Sequence, residues 1–453
     1  MDMDFENKNF VFLGIGGISM SALARMVFTL KGKVFGSDLC ENDQIKQLKN
    51  DKIAKIKISN VPSYVKNADF VIYTNAIKEN NPDLVLAKHL NKKIFERATF
   101  LGILSCKFKN LIAVSGTHGK TTTTSLLGWI FETAKRNPTV HIGGISKNFQ
   151  TNVKIGGKNF FITEACEYRK SFLQLNPTTT LINNIEFDHP DFYKNFTQIQ
   201  SAFIQLSHQT KNNLVINGDL LSKKTFQHRN IITFGFKKSN NLYANRIIVK
   251  NGQTSFNIIY NHRCLGRVCT TLLGKHNILN ILAATTVALI YQVDFSYIQQ
   301  AIKTFAGTER RFETVWEKDY KMILDYAHHP TEIACTINSA KTIEHNSIIA
   351  IFQPHTYSRT LELMNEFKNC FFGVDKLFIL PTYAAREKEI LGGRAIDLFY
   401  EVKNVKETQY FSNISALFHT LDASIQKGDI VLWIGAGNIE NFTKEYVKKL
   451  KEM

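Results

Sequence analysis

The sequence predicts an α/β protein made of three sheet-and-helix units in series, and two observations carry that expectation. Short apolar runs that suit buried strands alternate with longer helical patterns along the whole chain, and such alternation builds parallel sheets with helices on their faces. The pattern also restarts, at Asn110 and again near Gly307, after its first strand at Asn9. The length of 453 residues agrees, since domains run to roughly 100–200 residues. The expected divisions are 1–108, 109–307 and 308–453.

The first unit opens with a strand at Asn9–Leu13, the turn Gly14-Ile15-Gly16-Gly17 and a helical pattern over Ser19–Leu30. A strand at Lys33–Gly36, the acidic Asp38, and strand-like runs at Phe70–Tyr73 and Lys93–Phe95 follow. The turn nearly matches GxGxxG, with Ser19 in place of the third glycine and Asp38 where a ribose-binding acid belongs. By itself it fits either a dinucleotide turn or a tight strand-to-helix turn without ligand.

The second unit begins with the buried strand Leu111–Val114, then Ser115-Gly116-Thr117-His118-Gly119-Lys120-Thr121 and a helix reaching Ala134. Backbone N–H groups of such a turn, together with a helix start, cradle phosphates. Lys120 is then placed against the β- and γ-phosphates, and the Thr121 hydroxyl on Mg²⁺. Only two residues separate Gly116 from Gly119, against four in the usual loop, yet the four threonines that follow the Gly-Lys pair favour the phosphate reading. Two acidic groups come after strands: Glu164-Ala165-Cys166-Glu167 follows Phe160–Thr163, and Asn184-Ile185-Glu186-Phe187-Asp188-His189 follows Thr180–Asn183. One such group reads as helix capping. Two at strand ends beside a phosphate loop favour a divalent cation bridging ATP phosphates. A strand at Asn213–Ile216, a β-patterned stretch over Ile231–Leu272 and a helix from Gly274 to about Tyr291 complete the unit.

The third unit starts at Thr308-Glu309-Arg310-Arg311-Phe312 and has strands at Met322–Tyr326, Ser347–Phe352, Lys376–Leu380 and Ile430–Ile434. Two polar clusters sit at strand ends: Asp325-Tyr326-Ala327-His328-His329-Pro330, and the stretch from Gln353 through His355 and Thr356 to Arg359. Histidines gathered with Asp, Tyr and Arg at neighbouring strand ends suit a substrate site.

Bulk properties narrow the class. Hydrophobic residues make up 44% of the chain, which suits a globular protein with real cores. No apolar run reaches the ~18 residues of a membrane span, and the opening MDMDFENKNF is unlike a secretory signal. The seven cysteines are scattered, odd in number and form no CxxC pair, so reduced thiols and a cytoplasmic location are expected. The net charge is +17. Its lysines are spread without a block, so a solvated surface is expected and neither a nucleic-acid nor a membrane partner. The sequence carries no sign of oligomeric state.

GIGGISMS, SGTHGKTTTT, EACEY, NIEFDH, GKHNILN, ERRFE, DYAHHPTE, FQPHTYSRT, TYAAREKE and GAGNIE occur in this order. In this the chain resembles the Mur ligases from about Val11 to Asn438, and within them the group that adds L-alanine to UDP-N-acetylmuramate. GTHGKTTT marks Mur ligases broadly, including the muropeptide-recycling ligase; GIGGISMS, DYAHHPTE and FQPHTYSRT point to the alanine-adding group. The resemblance implies a Rossmann-like UDP-binding domain, a central P-loop ATPase domain with a mostly parallel sheet, and a Rossmann-like closing domain. It implies an ATP-dependent amide ligase in cell-wall precursor synthesis, working through an acyl phosphate with ADP and phosphate as products. Gly14, Gly16, Gly17 and Ser19 are then assigned to the UDP-substrate, with Asp38 and Thr74 near the uridine. ATP falls to Gly116, Thr117, His118, Gly119, Lys120, Thr121 and Thr122, with His276 and Asn277 on the adenine side and Arg311 facing phosphate. Thr121, Glu164 and His189 are assigned to Mg²⁺, and His328, His355 and Arg359 to the alanine and the acyl phosphate. Lys120, His189, His328 and Arg359 carry the catalytic roles. Cys166 stands where many members have Asp, Thr356 where many have Arg, and Pro190 where Leu is commoner. A nicotinamide dehydrogenase is a poor rival, because GTHGKT has no role in one.

Overall fold

A computed structural model describes residues 3–250, 252–402, 405 and 407–452. Its strands form three sheets. The first holds β1 (Asn9–Leu13), β2 (Lys33–Ser37), β3 (Ala54–Lys57), β4 (Phe70–Tyr73) and β5 (Lys93–Glu96). They lie in the order β3-β2-β1-β4-β5 and every pairing is parallel. Phe10 to Leu13 of the central β1 are buried, which is why that run is continuously apolar. The strand order reverses between β1 and β4, and the crevice beyond such a reversal is where open α/β sheets take ligands.

The second sheet has ten strands: β6 (Asn110–Ser115), β7 (Thr139–Ser146), β8 (Thr151–Lys154), β9 (Phe160–Glu164), β10 (Thr179–Ile182), β11 (Asn213–Asn217), β12 (Ile231–Gly235), β13 (Leu242–Lys250), β14 (Gln253–Tyr260) and β15 (Arg263–Thr270). Its order is β15-β14-β13-β12-β11-β10-β6-β9-β7-β8. It is parallel from β13 to β7, with antiparallel strands at both ends. The helix Lys120–Thr133 is buried along most of its length, packed on β7 and on the helices Lys275–Ile290 and Phe295–Thr304. Its threonines are therefore interior residues.

The third sheet runs β16-β17-β21-β18-β19-β20, from β16 (Glu313–Glu317), β17 (Lys321–Asp325), β18 (Ile348–Phe352), β19 (Lys376–Ile379), β20 (Glu407–Tyr410) and β21 (Ile430–Ile434). Only β16 is antiparallel to its neighbour. The three-domain α/β architecture is the one expected. Among the described residues no helix is long and apolar enough to cross a membrane.

The cores divide unequally. One continuous apolar cluster joins the first domain to the second, from Phe10, Phe12 and Phe100 through Leu111 and Phe161 to Phe203. The third domain has its own two clusters, around Ile323 and Phe352 and around Trp433 and Tyr446, and the central-domain Phe187 packs against the first of them. Apolar burial is non-directional and costly to undo, so the first two domains are fused by their core. The third meets the second mainly across a polar seam.

Candidate functional site

β6 delivers the phosphate loop at its carboxyl end. Gly116 has φ of 134° and Gly119 has φ of 79°, backbone that favours glycine. A Cβ on Gly119 would also lie 2.4 Å from Asn280 Oδ1, so no other residue fits against that asparagine. The helix that starts here has no side-chain cap, which leaves its first-turn N–H groups to a ligand or to water. The loop is pinned from behind: the His118 N–H donates to Asn184 Oδ1 at 2.8 Å, and the Glu186 N–H to Thr117 Oγ1 at 2.9 Å.

Lys120 Nζ donates to Gly116 O at 2.5 Å, Thr117 O at 2.9 Å and Glu167 Oε2 at 2.9 Å. Burial works against the Lys120 charge, but the Glu167 carboxylate raises its pKa above the ordinary value. Burial likewise opposes charge on Glu167, and Lys120 holds it below the usual carboxylate range. His189 Nε2 also reaches Glu167, at 3.3 Å, and its ring lies against Tyr168 with centroids 4.7 Å apart.

Glu164 has a different environment. Its carboxylate accepts the Gly143 N–H at 2.6 Å and a hydrogen bond from Thr121. Burial pushes its pKa up, and the Gly143 N–H, the Lys120 charge and the Thr121 hydroxyl only partly offset this. A buried carboxylate short of a full positive partner, beside an uncapped helix start and a threonine hydroxyl, fits a divalent cation. The structure thus brings Thr121 to Glu164, and His189 to Glu167. Cys166, between the two glutamates, is a neutral thiol pushed up to about 11 by burial and by Glu167.

A cavity of about 300 Å³ opens beside the loop. His118, Gly119 and Thr122 line one wall, His276 and Asn277 a second, and Arg311 a third. Burial depresses the His276 imidazole to about 4, so it is neutral. Asn277 Nδ2 donates to Leu273 O at 2.8 Å, and its Oδ1 accepts from Asn280 at 3.1 Å. The adjacent arginines divide their work. Arg310 donates to Gly435 O and Gly437 O and pairs with Glu440, a role internal to its domain. Arg311, 5.0 Å from the Tyr326 ring centre, faces the cavity.

The third domain presents its polar strand ends to this loop. Arg359 Nε donates to Asp188 Oδ1 at 2.8 Å, and Nη1 to His355 O at 2.5 Å. Burial would neutralise Asp188, but Arg359 overrides it and holds the carboxyl well below its ordinary value. His328 and His355 are neutral, depressed by burial to about 3 and about 4. Their rings are 5.8 Å apart, and His355 stacks on Tyr383. Thr356 donates to Glu387 Oε1 at 2.6 Å, so this departure from the commoner arginine has a local partner. Three more contacts cross the seam: His118 Nδ1 with Glu332 Oε1 at 2.9 Å, Thr331 Oγ1 with Glu186 Oε2 at 2.7 Å, and His329 Nε2 with Phe187 O at 3.2 Å.

The glycine turn of the first domain lies at the β1–β4 reversal. A Cβ on Gly14 would meet Thr74 Cγ2 at 2.7 Å, which places Thr74 against the turn. The Gly14 and Ile15 amides donate to Ser37 O, and the Gly16 amide to Asp38 Oδ2 at 2.8 Å. Asp38 Oδ1 accepts the Leu39 N–H at 2.8 Å, so both its oxygens close the turn. What remains for an anion is the start of the helix Ile18–Thr29 after Gly17, which has no side-chain cap. Ser19 Oγ meets His141 Nε2 at 3.0 Å and Arg97 Nη1 at 3.4 Å. Arg97 is a cation at this helix start that the sequence reading passed over.

Three domain models match successive stretches of the chain: the Mur ligase family catalytic domain over residues 9–109, the Mur ligase middle domain over 114–288 and the Mur ligase glutamate ligase domain over 310–437. The chain is 40% identical to the UDP-N-acetylmuramate–L-alanine ligase of Caldicellulosiruptor bescii, covering 98% of this chain and 99% of that one. The chain belongs to the Mur ligase family. It is also 39% identical to the corresponding ligase of Clostridium novyi, over 96% of each chain. The crystal structure of the UDP-N-acetylmuramate–alanine ligase from Thermotoga maritima superposes with a TM-score of 0.84 at 26% identity, covering 98% and 100% of the two chains. A murein peptide ligase from Psychrobacter arcticus shares the fold, with a TM-score of 0.73 at 23% identity and 99% of each chain covered.

As a Mur ligase, the chain has site residues that the strand-end reading did not assign. Asn280 buttresses Gly119 and accepts from Thr123 at 3.1 Å; its signal was a second asparagine one helical turn after Asn277. Asn183 and Asn184 brace the loop from the end of β10. Asp188 and Glu332 had the signal of acids inside conspicuous motifs, but their partners lie across the domain seam.

Proposed function

We propose that this Mur ligase joins L-alanine to the carboxylate of UDP-N-acetylmuramate in the cytoplasm, consuming ATP with Mg²⁺. The domain divisions at 108/109 and 307/308 are part of this reading. The observation that carries it is the pairing of two half-sites across the domain seam: the segment after β10 with Asp188 on one side and Arg359 on the other, joined at 2.8 Å, beside a cavity that His118, Gly119 and Thr122 of the phosphate loop line together with Arg311 and Glu332 of the third domain. All seven cysteines are free thiols, in keeping with a reducing compartment.

A free carboxylate is a poor electrophile. ATP transfers its terminal phosphoryl group to a muramoyl carboxylate oxygen, and ADP leaves. The alanine amine then attacks the acyl carbon, gives up a proton, and the C–O bond to phosphate breaks. The protein's share is positioning and charge neutralisation. Lys120 turns from Glu167 and the loop carbonyls toward the transferred group. Thr121, Glu164 and His189 would hold Mg²⁺, whose charge offsets that of the phosphates. His276 and Asn277 border the adenine, and Arg311 faces the phosphates. Arg359 remains cationic for the alanine carboxylate or the acyl phosphate, while neutral His328 and His355 offer hydrogen bonds without adding charge. The uncapped helix start after Gly17, with Arg97 nearby, takes the UDP diphosphate.

The test is ADP release by the purified chain, omitting UDP-N-acetylmuramate and L-alanine in turn. Turnover is expected only with both present. Turnover with a peptide in place of L-alanine, and none with L-alanine, would replace this reading with a peptide-recycling ligase.

A further inference from the structure

We propose that His118, Glu186 and His329 form a transition-metal site of the Zn²⁺/Co²⁺/Ni²⁺ class that staples the closing domain to the phosphate loop. One donor atom from each of the three residues can be chosen so that all lie within 4.8 Å of one another. His118 comes from the phosphate loop and Glu186 from the segment after β10, both in the central domain. His329 is the N-cap of the helix Pro330–Ala340 in the closing domain. This set is separate from Thr121, Glu164 and His189.

The donors lie close to metal-binding spacing, and a bound ion would replace the proton that Glu332 and Glu186 hold on His118, whose pKa they raise to about 9 against the effect of burial. His118 Nε2 is 3.3 Å from Glu186 Oε2, and His329 Nδ1 is 3.9 Å from the same oxygen. Donors bound at about 2.0–2.1 Å in a tetrahedron stand roughly 3.3 Å apart, so the His118–Glu186 pair already has that spacing and His329 must draw in. Each imidazole is also oriented by its other nitrogen: His118 Nδ1 meets Glu332 Oε1 at 2.9 Å, and His329 Nε2 meets Phe187 O at 3.2 Å. The Thr331 N–H approaches His329 Nδ1 at 3.3 Å, so that nitrogen is unprotonated, and its lone pair leaves this long capping contact when it binds the metal. Metal-bound histidines are held in this way, by a carboxylate or a backbone carbonyl at the far ring nitrogen. Thr331 Oγ1 donates to Glu186 Oε2 at 2.7 Å, orienting the carboxylate. The Glu186 side chain is 34% exposed, so an ion can enter from the nucleotide cavity, and a water there completes the fourth position. Two imidazoles and one carboxylate select borderline metals over Mg²⁺, which prefers oxygen donors and its own waters.

The experiment titrates the full-length chain with Co²⁺ in Mg²⁺-free buffer after chelator treatment, following visible ligand-field absorption. One equivalent of a low-symmetry, intensely coloured complex is expected. His329→Ala and Glu186→Gln should each abolish it, and Glu332→Gln should weaken Co²⁺ affinity about 10–100-fold by freeing the His118 ring. His189→Ala, Cys166→Ser and Cys335→Ser should keep it. Circular dichroism reports folding of each variant, and Glu186→Gln decides the matter if His329→Ala does not fold. A spectrum unchanged in Glu186→Gln, lost in His189→Ala or erased by millimolar Mg²⁺ overturns the site. Because His118 and Glu186 line the cavity assigned to ATP, ADP without Mg²⁺ should displace Co²⁺. This last arm rests on the nucleotide reading: ADP that binds and leaves Co²⁺ in place refutes the overlap, whereas ADP that does not bind at all refutes the nucleotide reading.

Discussion

Replacing Arg359 with alanine should impair catalysis while leaving the fold standing. Arg359 and Asp188 have side chains only 6% and 5% exposed, and they belong to different domains. Removing one member of a buried ion pair costs about 3–5 kcal/mol, because the other charge is left without a partner. In a single rigid core that cost would appear as lost global stability. Here the seam between the second and third domains is mostly polar, so the chain can relieve Asp188 by opening and letting water reach it. The expected result is therefore a depleted closed state, with little change in the melting of the fused first and second domains. At 1.4 kcal/mol per tenfold, a loss of 3–4 kcal/mol lowers kcat/KM for L-alanine by roughly 10²–10³, while ATP binding by calorimetry stays near wild type. Asp188→Ala and the double variant complete a cycle, and the pair should show a coupling energy of at least about 1.5 kcal/mol. The pH sign follows from Asp188: its folded pKa is depressed, so its contribution is complete above the ordinary carboxylate value near 3.8. It is lost only as pH falls through the still lower folded value, so the pair adds no slope to the activity profile at neutral pH. Wild-type kinetics for all three substrates in Arg359→Ala, or additive losses in the cycle, would refute this reasoning.

Three further outcomes are expected. Lys120→Ala should lower kcat by about 10²-fold or more through loss of a preorganised charge; a folded variant with near-normal turnover removes Lys120 from phosphoryl transfer. Glu164→Gln should raise the Mg²⁺ concentration needed for half-maximal activity far more than it changes UDP-N-acetylmuramate binding, and His189→Ala should do the same more weakly; an unchanged Mg²⁺ titration in either variant removes that residue from the metal set. His141, buried between Thr163 and Ser19, is depressed by burial and by Arg97 to about 3, so the unfolded chain binds its proton first as pH falls. Stability should drop between pH 6.5 and about 3 through this group, and His141→Gln should flatten the dependence of Tm on pH in that window; parallel curves for the two proteins would show that His141 carries no such linkage.

How much of this was legible in the sequence depended on where each residue's partners lie. Strands such as Asn9–Leu13, Phe70–Tyr73 and Ile430–Ile434 were readable to the residue because both faces are buried over nearly the whole run and, Asn9 apart, its residues are apolar or aromatic. β3 and β20 were not, since AKIK and ETQY sit at sheet edges and are only partly buried. β7 was hidden by Gly143 and Gly144, which interrupt its apolar pattern at a register shift. In the site, the placement of the loop glycines and of the acids at the ends of β9 and β10 was legible because it follows from position at a strand end. The division of labour between Glu164 and Glu167 was not. Three residues apart in one motif, they differ in that Glu167 is matched by Lys120, whereas Glu164 has only a backbone N–H and a hydroxyl as its direct partners.

The same distinction separates how the third domain is attached from how the first two are. Apolar side chains announce themselves by periodicity, and they have joined the first two domains through one core. The second and third domains are joined instead by pairs such as His118–Glu332 and Arg359–Asp188, which stand 214 and 171 residues apart in sequence. Such pairs leave no periodic trace, because each member looks like one more polar residue at a loop. They are also the contacts that water can replace when the domains part. A seam built this way is strong when desolvated and weak once water reaches it. Each side of the seam therefore carries both signs, with Asp188 of the central domain held by Arg359 and Glu332 of the third domain held by His118, and it is these charges that hold the domains together.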